Sequence, residues 1–146
     1  MAKAPDFDVQ AFLPYLLNQA AEASSLDFQK VYKDRYGMLR NEWRVLFHLG
    51  IYGRMTASDI AARAQMHKTK ISRAVQRLAE RRYLVRERDA GDRRVEHLAL
   101  TATGRRVYDD LRRVAHDYDE ALVEGLEPEE VTRLKSLLGM LARRRS

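Results

Sequence analysis

Two short amphipathic segments separated by only three residues lie at the centre of this sequence, and they constrain its fold most. The first opens with Thr56-Ala57-Ser58-Asp59, which resembles a helix capping box with Asp in place of Glu. After a turn at Gln65-Met66-His67, the second runs from Lys68 to about Arg81. At about 3.6 residues per turn its apolar residues form one stripe, composed of Ile71, Ala74, Val75 and Leu78. This pattern predicts a helix-turn-helix.

The opposite side of the second helix has the chemistry of a major-groove reader. Thr69, Arg73 and Gln76 face away from the apolar stripe, and Lys70 and Ser72 lie on its two flanks. Arg and Lys can donate to guanine, Gln can bridge adenine, and the Thr methyl can meet the thymine methyl. A solvated helix face has a similar composition, so the interpretation depends on the neighbouring elements.

A β-hairpin is predicted directly after this helix. Leu84–Arg88 and residues 95–100 have the composition of two strands, and the turn between them contains Gly91, which we expect to supply a positive φ. The hairpin would form a wing. The expected fold class is mainly α with a small β-wing: a winged helix-turn-helix domain flanked by N- and C-terminal dimerisation helices.

The positive charge of the chain is concentrated in this region. The sequence has 27 Lys and Arg residues against 21 Asp and Glu residues, a net charge of +6. Residues 63–94 alone hold 11 basic and 4 acidic residues, whereas the remainder has 16 basic and 17 acidic residues. A local excess of this kind indicates an element that binds a polyanion, although a solvated charged face is the plainer alternative.

Longer helices are predicted on both sides of the lobe. The first covers residues 13–36 and ends at Gly37, and the second covers residues 42–51 with Asn41 as its N-cap. Thr101 is expected to cap a fifth helix that reaches Leu126. Pro128 is expected to begin a sixth, which Arg143-Arg144-Arg145 closes.

The sixth helix is too apolar along one side for a free surface helix. The first helix lies at the other end of the chain and is also more apolar than a lone domain needs. We therefore expect the two to pack across a two-fold axis in a homodimer. The expected interface residues are Leu13, Leu16, Leu17, Val131, Leu134, Leu137, Leu138 and Leu141.

Other function classes find little support. Cysteine is absent, which removes thiol catalysis, disulfides and Cys-based zinc sites. The histidines are far apart, no catalytic motif occurs, and His97 beside Glu96 is better explained as a structural strand residue than as a metal ligand. We expect no enzyme activity, no cofactor and no metal. Because signal-peptide and membrane-span patterns are also missing, we expect a cytoplasmic protein without membrane contact.

Three motifs share their order and spacing with a known family. They are Lys68-Thr69-Lys70-Ile71-Ser72-Arg73-Ala74-Val75, Asp92-Arg93-Arg94 in the wing, and Leu98-Ala99-Leu100-Thr101-Ala102-Thr103-Gly104. Together with Asn41-Glu42-Trp43-Arg44-Val45-Leu46 they resemble the MarR family of bacterial winged-helix regulators over nearly the whole chain. The sequence departs from the family at Arg82, where Gly is common, and at His67, where a small N-cap residue is usual.

The resemblance implies a triangular homodimer that places two winged lobes on a palindromic operator in double-stranded DNA. The first, fifth and sixth helices would form the interface. The chain would be a single domain, with the winged lobe at residues 37–101 and the dimerisation helices at residues 9–36 and 102–146 of 1–146.

Sequence-specific DNA binding is therefore the expected function. Arg93 or Arg94 would enter the minor groove, and Asp92 would orient these arginines unless it is an ordinary turn aspartate. The expected DNA-contacting residues are Thr56, Lys68, Thr69, Lys70, Ser72, Arg73, Gln76, Arg77, Asp92, Arg93 and Arg94. The alternative is a winged helix that binds RNA or a protein, but RNA would favour exposed aromatic residues on this face.

Many proteins of this family release DNA when a small aromatic or anionic molecule binds between the dimer helices and the lobe. The resemblance implies a repressor controlled in this way. Such a pocket would be lined by Tyr36, Arg40, Trp43, Arg44 and Phe47, which combine aromatic rings with cationic donors. The alternative is that Trp43 and Phe47 are simply core residues.

Overall fold

The computed structural model describes residues 6–144, which form six α-helices and a three-stranded sheet. The amino-terminal residues 1–5, on which the expected lack of a signal peptide partly rests, lie outside the described residues, as do Arg145 of the expected basic end of the sixth helix and Ser146. The helices are α1 (Leu13–Tyr36), α2 (Arg40–Tyr52), α3 (Ala57–Ala64), α4 (Lys68–Glu80), α5 (Ala102–Leu122) and α6 (Pro128–Arg143), and the strands are β1 (Met55–Thr56), β2 (Leu84–Arg88) and β3 (Glu96–Leu100). A short 3-10 helix, Val9–Ala11, precedes α1. The predicted fold class is confirmed.

Local capping explains where most helices begin and end. The Thr56 hydroxyl accepts a hydrogen bond from the Asp59 N–H at 3.1 Å, and the Asp59 carboxylate accepts one from the Thr56 N–H at 3.2 Å, so the predicted capping box is present. Gly37 ends α1 in the left-handed conformation with φ 61°. Pro128 stands in the first turn of α6, where its missing N–H costs nothing.

Helix α2 begins earlier than predicted. Its N-cap is Leu39, in an extended conformation, and Asn41 lies inside the helix, so the expectation that Asn41 caps it is wrong. Met38 is completely buried and fixes the chain directly before this point. Helix α2 therefore begins two residues after buried Met38, at Arg40.

Two further boundaries differ from expectation. Among the described residues the glycines with positive φ are Gly37 and Gly53, so the prediction for Gly91 is wrong. The carboxylate of Asp89 closes the hairpin turn instead, as described below. Helix α5 ends at Leu122 rather than at Leu126, and the N–H of Leu126 bonds to the Val123 carbonyl at 2.9 Å in a tight turn that leads into α6.

The sheet has the order β1-β3-β2, with both neighbouring pairs antiparallel. Strands β2 and β3 form the predicted hairpin, with Leu84 opposite Leu100 and Arg88 opposite Glu96. Strand β1 was not predicted from the sequence. It pairs Thr56 with His97, which ties the start of α3 to the wing.

The core lies between α2, α4, β3 and α5. Its most completely buried aliphatic side chains are Val45, Leu46, Leu49, Ile60, Ile71, Leu78, Leu98 and Leu111. Helix α5 approaches the lobe closely at Gly104, where a Cβ atom would lie 1.9 Å from the Tyr83 carbonyl oxygen. Glycine is therefore required at this contact. Within residues 6–144, no helix is both long and apolar enough to cross a membrane.

Candidate nucleic-acid interface

Helix α4 is held by its inner side and exposed on its outer side. The apolar stripe is buried as predicted, with Ile71 and Leu78 completely inaccessible. The outward residues are all exposed: Lys68, Thr69, Lys70, Ser72, Arg73, Gln76 and Arg77. The arrangement presents a polar, cationic face on a helix that packing against α2 and α3 keeps in place.

Gln76 is more constrained than the sequence indicates. Its amide Nε2 donates to Glu80 at 3.0 Å, and its Oε1 accepts from the guanidinium of Arg86 at 3.2 Å. Arg86 lies on β2, so this pair joins the recognition surface of α4 to the base of the wing. Sequence reasoning did not single out Arg86, because the two residues are neighbours only once the hairpin has folded back.

The C-terminal end of α4 is anchored to α1 by Arg81. Its guanidinium donates to the carbonyl oxygen of Tyr36 and, at 2.8 Å, to that of Gly37. Arg82 follows in the left-handed conformation with φ 64°. The N–H groups of Arg82 and Tyr83 then bond back to Ala79 and Leu78, as in a Schellman motif. The helix thus has the ending that usually contains a glycine, with Arg82 in the glycine position.

The wing turn is organised by the carboxylate of Asp89. One oxygen accepts hydrogen bonds from the N–H groups of Gly91 and Asp92, both at 3.0 Å, and the other lies 2.9 Å from Nε2 of His97. The bond to His97, followed by the bonds from the Asp92 and Gly91 backbone, lowers the pKa of Asp89 below its ordinary value.

Asp92 contacts one of the two wing arginines. Its carboxylate accepts hydrogen bonds from the backbone N–H, Nε and an Nη atom of Arg94 at 3.0, 3.1 and 3.3 Å. The side-chain bond lowers the pKa of Asp92, with the backbone bond adding to the effect. Arg94 remains 91% exposed, and the carbonyl of the neighbouring Arg93 accepts from Arg88 at 2.8 Å. Asp92 thus orders Arg94, whereas Arg93 is fixed only through its backbone.

Two other predicted DNA-contacting residues have structural partners. The Thr56 hydroxyl serves the capping box of α3. The Nε atom of Arg77 lies 3.1 Å from Oε2 of Glu42, a residue of α2 that sequence reasoning did not select. Helical periodicity concerns the spacing of residues along one helix, so it cannot show that a buried carboxylate on α2 contacts an arginine on α4.

The predicted effector residues lie around α2 and the end of α1. Trp43 and Phe47 are half-buried in an aromatic cluster, with ring centroids 5.2 Å apart and both rings against Phe28. This placement agrees with the alternative that they belong to the core. Arg40 is exposed, whereas Arg44 donates to the Ala64 carbonyl at 2.7 Å. Burial, helped by the nearby charge of Arg40, lowers the pKa of Arg44.

Tyr36 joins α1 to α5. Its hydroxyl donates to Asp110 at 2.5 Å, and the same carboxylate is 3.0 Å from Arg35. Burial, together with this bond to a carboxylate, raises the pKa of Tyr36 to about 12. Asp110 has a lowered pKa, chiefly because of the bond from Tyr36. Tyr36 therefore has a structural partner already.

One group of potential metal ligands occurs on α5 of the described chain. His116, Asp117 and Glu120 place their ligand atoms within 4.8 Å of one another, and all three side chains are exposed. His97, which was weighed as a ligand from the sequence, is paired with Asp89. The absence of a metal stays a prediction.

Comparisons with known proteins point in one direction. Residues 36–95 match a family model described as the MarR family. The chain is 27% identical over 127 residues to the transcriptional regulator FarR of Neisseria gonorrhoeae. The alignment covers 87% of this chain and 86% of FarR. Among solved structures, NadR in complex with 4-hydroxyphenylacetate is 26% identical with a TM-score of 0.79 and covers 99% of this chain and all of NadR. The regulator SPO1453 from Silicibacter pomeroyi is 28% identical with a TM-score of 0.80, over 94% of this chain and 97% of its own.

FarR and SPO1453 are transcription regulators rather than enzymes, in agreement with the exposed cationic helix and ordered wing of this chain. The chain has the winged helix-turn-helix fold of DNA-binding transcription regulators, and its residues 36–95 match the MarR family.

Proposed function

We propose that this chain is a homodimeric repressor that binds an inverted-repeat operator in duplex DNA and is released by a small aromatic or anionic effector. Helix α4 enters the major groove, and the wing reaches the adjacent minor groove through Arg93 or Arg94. The observation that carries the proposal is the exposed face of α4. Its cationic and amide side chains lie opposite a buried apolar stripe, which fixes the orientation of the helix on the lobe.

Apolar surface supports the homodimer. Leu134, Leu137 and Leu138 are each at least 41% exposed, and the described residues of α6 include none that is buried. Leu13 and Leu16 at the start of α1 are equally open, at 50% and 41%. Exposed apolar side chains in this number are unfavourable in water, and a second copy of the chain would cover them.

Aromatic and cationic groups support an effector site. Trp43 and Phe47 are half-buried rather than sealed, and Arg40 is exposed beside them. NadR, a relative of similar fold, binds an aromatic carboxylate. A ring stacked on the cluster with its carboxylate toward Arg40 would use both features.

The test of DNA binding is a selection of binding sites from random duplex DNA, followed by fluorescence anisotropy on the selected operator. Arg73→Ala is expected to weaken specific binding by about 1–3 kcal/mol per half-site, because it removes a base contact from the centre of the exposed face. Arg112→Ala, which removes the same charge from an exposed position on α5, is the matched control. Equal binding by wild type and Arg73→Ala, or preference for RNA of the same sequence, would overturn the proposal.

The effector is tested separately on the wild-type operator complex. Aromatic carboxylates, beginning with 4-hydroxyphenylacetate, are titrated while anisotropy reports release of DNA. Release that is lost in Arg40→Ala but kept in Arg112→Ala is the expected result. If a carboxylate releases DNA equally from both variants, its binding site does not include Arg40.

A further inference from the structure

The carboxylate of Glu42 is buried between α2 and the flank of α4. Its side chain is 2% exposed, and Oε2 lies 3.1 Å from Nε of Arg77. Oε1 is also buried, and it has no hydrogen-bond partner among residues 6–144. Glu42 is the one charged side chain in the buried part of the described chain.

Stability alone does not explain this carboxylate. A buried charge requires a complete set of partners, and apolar residues of similar volume are often at least as favourable as a buried ion pair. A Glu at the third position of a helix can instead accept a hydrogen bond from the N–H of the N-cap residue, but no such bond joins Leu39 to Glu42 among residues 6–144. The feature that an apolar residue at this position would lack is the contact with Arg77.

Arg77 lies on the solvent side of this contact. Its side chain is 50% exposed, and it follows Arg73 by four residues, so the two arginines are neighbours along the same helix. Glu42 meets the Nε edge of the guanidinium. An arginine that is already fixed at one edge loses less conformational freedom when its other N–H groups bind a phosphate.

We propose that Glu42 is a positioning residue for DNA binding, which holds the guanidinium of Arg77 in the orientation that contacts a backbone phosphate. The inference rests on the proposed function, because it requires α4 to lie in the major groove. Charge counting alone gives the opposite expectation: removal of a negative charge near the DNA should strengthen binding. Weaker DNA binding after removal of the Glu42 charge therefore supports the positioning role, whereas stronger binding supports charge counting alone.

The test measures operator affinity by anisotropy at several salt concentrations. Glu42→Gln keeps the shape of the side chain and is expected to weaken binding roughly tenfold, with the salt dependence reduced by about one counterion per half-site, as for loss of a phosphate contact. Arg77→Ala is expected to give the same loss, and the double variant no more than Arg77→Ala alone. Glu87→Gln removes a 54% exposed carboxylate of the same lobe and is expected to bind at least as tightly as wild type.

Arg77→Lys provides a test that does not depend on whether Glu42→Gln folds. A lysine keeps the charge but has a single ammonium group, which cannot serve the buried carboxylate with one edge and a phosphate with another. Weakened binding by this variant, at unchanged helical content, is the expected result. Wild-type affinity would show that Arg77 acts as a free cation and would overturn the proposal.

The remaining outcomes are equally decisive. Glu42→Gln that folds and binds as well as wild type, or whose loss adds fully to that of Arg77→Ala, overturns the role of Glu42 alone. If Arg77→Ala and Arg73→Ala both bind normally, the placement of α4 fails and with it the proposed function.

Discussion

The Nε2 atom of His97 lies 2.9 Å from Oδ1 of Asp89, at the end of the hairpin that carries the wing turn. The other oxygen of the same carboxylate accepts the N–H groups of Gly91 and Asp92. Asp89 thus connects strand β3 to the turn that carries the wing arginines. Because β1 pairs Thr56 with His97, the same contact also reaches the start of the helix-turn-helix.

Replacement of Asp89 by Ala is expected to loosen the wing without unfolding the lobe. The variant loses the bonds to His97, Gly91 and Asp92 together, so Arg94 is no longer held at a fixed place. Operator affinity should fall severalfold while helical content and oligomeric state stay unchanged, as measured by anisotropy, circular dichroism and sedimentation. Asp117→Ala on α5 is the control, and equal affinities for the two variants would show that the wing needs no such anchor.

The same carboxylate makes the wing sensitive to acid. Because its folded pKa lies below the ordinary value of 3.8, Asp89 stabilises the folded wing fully above that value. The stabilisation is lost as the pH falls through the lower folded pKa. The amide NMR signals of Gly91 and Asp92 should therefore report this loss at pH values below about 4, before the core signals move. Simultaneous movement of both sets would contradict this order.

Local signals predicted the helices well. The capping box of α3, the proline that begins α6, the glycine after α1 and the apolar stripe of α4 each act within a few residues, and the structure agrees with all of them. Errors occurred where burial or a particular side-chain contact, rather than the residue type at one position, decides the outcome. Asn41 lost the N-cap position because buried Met38 fixes the chain before it, and Gly91 needs no positive φ because Asp89 closes the turn.

The exposed face of the candidate site could be predicted from the sequence, but the contacts between its side chains could not. Helical periodicity identifies which side of α4 faces outward, since that depends only on spacing along one helix. It cannot show that Arg77 meets Glu42, that Gln76 meets Arg86, or that Arg81 reaches the end of α1. Those partners lie far apart in sequence and are brought together by the packing of α4 against α2 and the return of the hairpin.

Arg82 gives a prediction about stability. A non-glycine residue at φ 64° pays a steric cost that glycine avoids. Arg82→Gly is therefore expected to raise the free energy of unfolding by about 0.5–1 kcal/mol, measured by urea denaturation. Arg82→Ala removes the same side chain but keeps its Cβ atom, so it should give no comparable gain. Equal stabilities of the Gly and Ala variants would show that the backbone there is unstrained.

The wing arginines are expected to read the shape of the operator flanks. A narrow, A/T-rich minor groove has an enhanced negative potential that attracts an inserted guanidinium. Arg94→Ala should weaken binding roughly tenfold on A/T-rich flanks and much less on G/C-rich flanks. Arg93→Ala is the internal comparison, because Asp92 orders Arg94 and not Arg93. Equal losses on both kinds of flank would indicate a plain phosphate contact.

The dimer prediction concerns the exposed leucines of α6. Leu134 and Leu138 are each 41% exposed in the single chain and lie on the same stripe as Leu141. The double variant Leu134→Glu and Leu138→Glu should yield a monomer, or an unfolded chain if the monomer lacks a stable core, because two charges per chain would have to be buried in the interface. Thr132→Glu with Ser136→Glu adds the same charge to the opposite side of α6 and should remain dimeric. Sedimentation measures both.

We expect operator binding to require this dimer, because one lobe would cover too few base pairs for specific recognition. Joining two lobes makes the second contact effectively intramolecular and fixes the distance between the two α4 helices. Affinity should therefore fall sharply when five base pairs are inserted between the half-sites, since the insertion turns one half-site to the far side of the duplex by about half a helical turn. A folded Leu134→Glu/Leu138→Glu monomer with wild-type operator affinity, or full tolerance of the insertion, would show that each lobe binds independently.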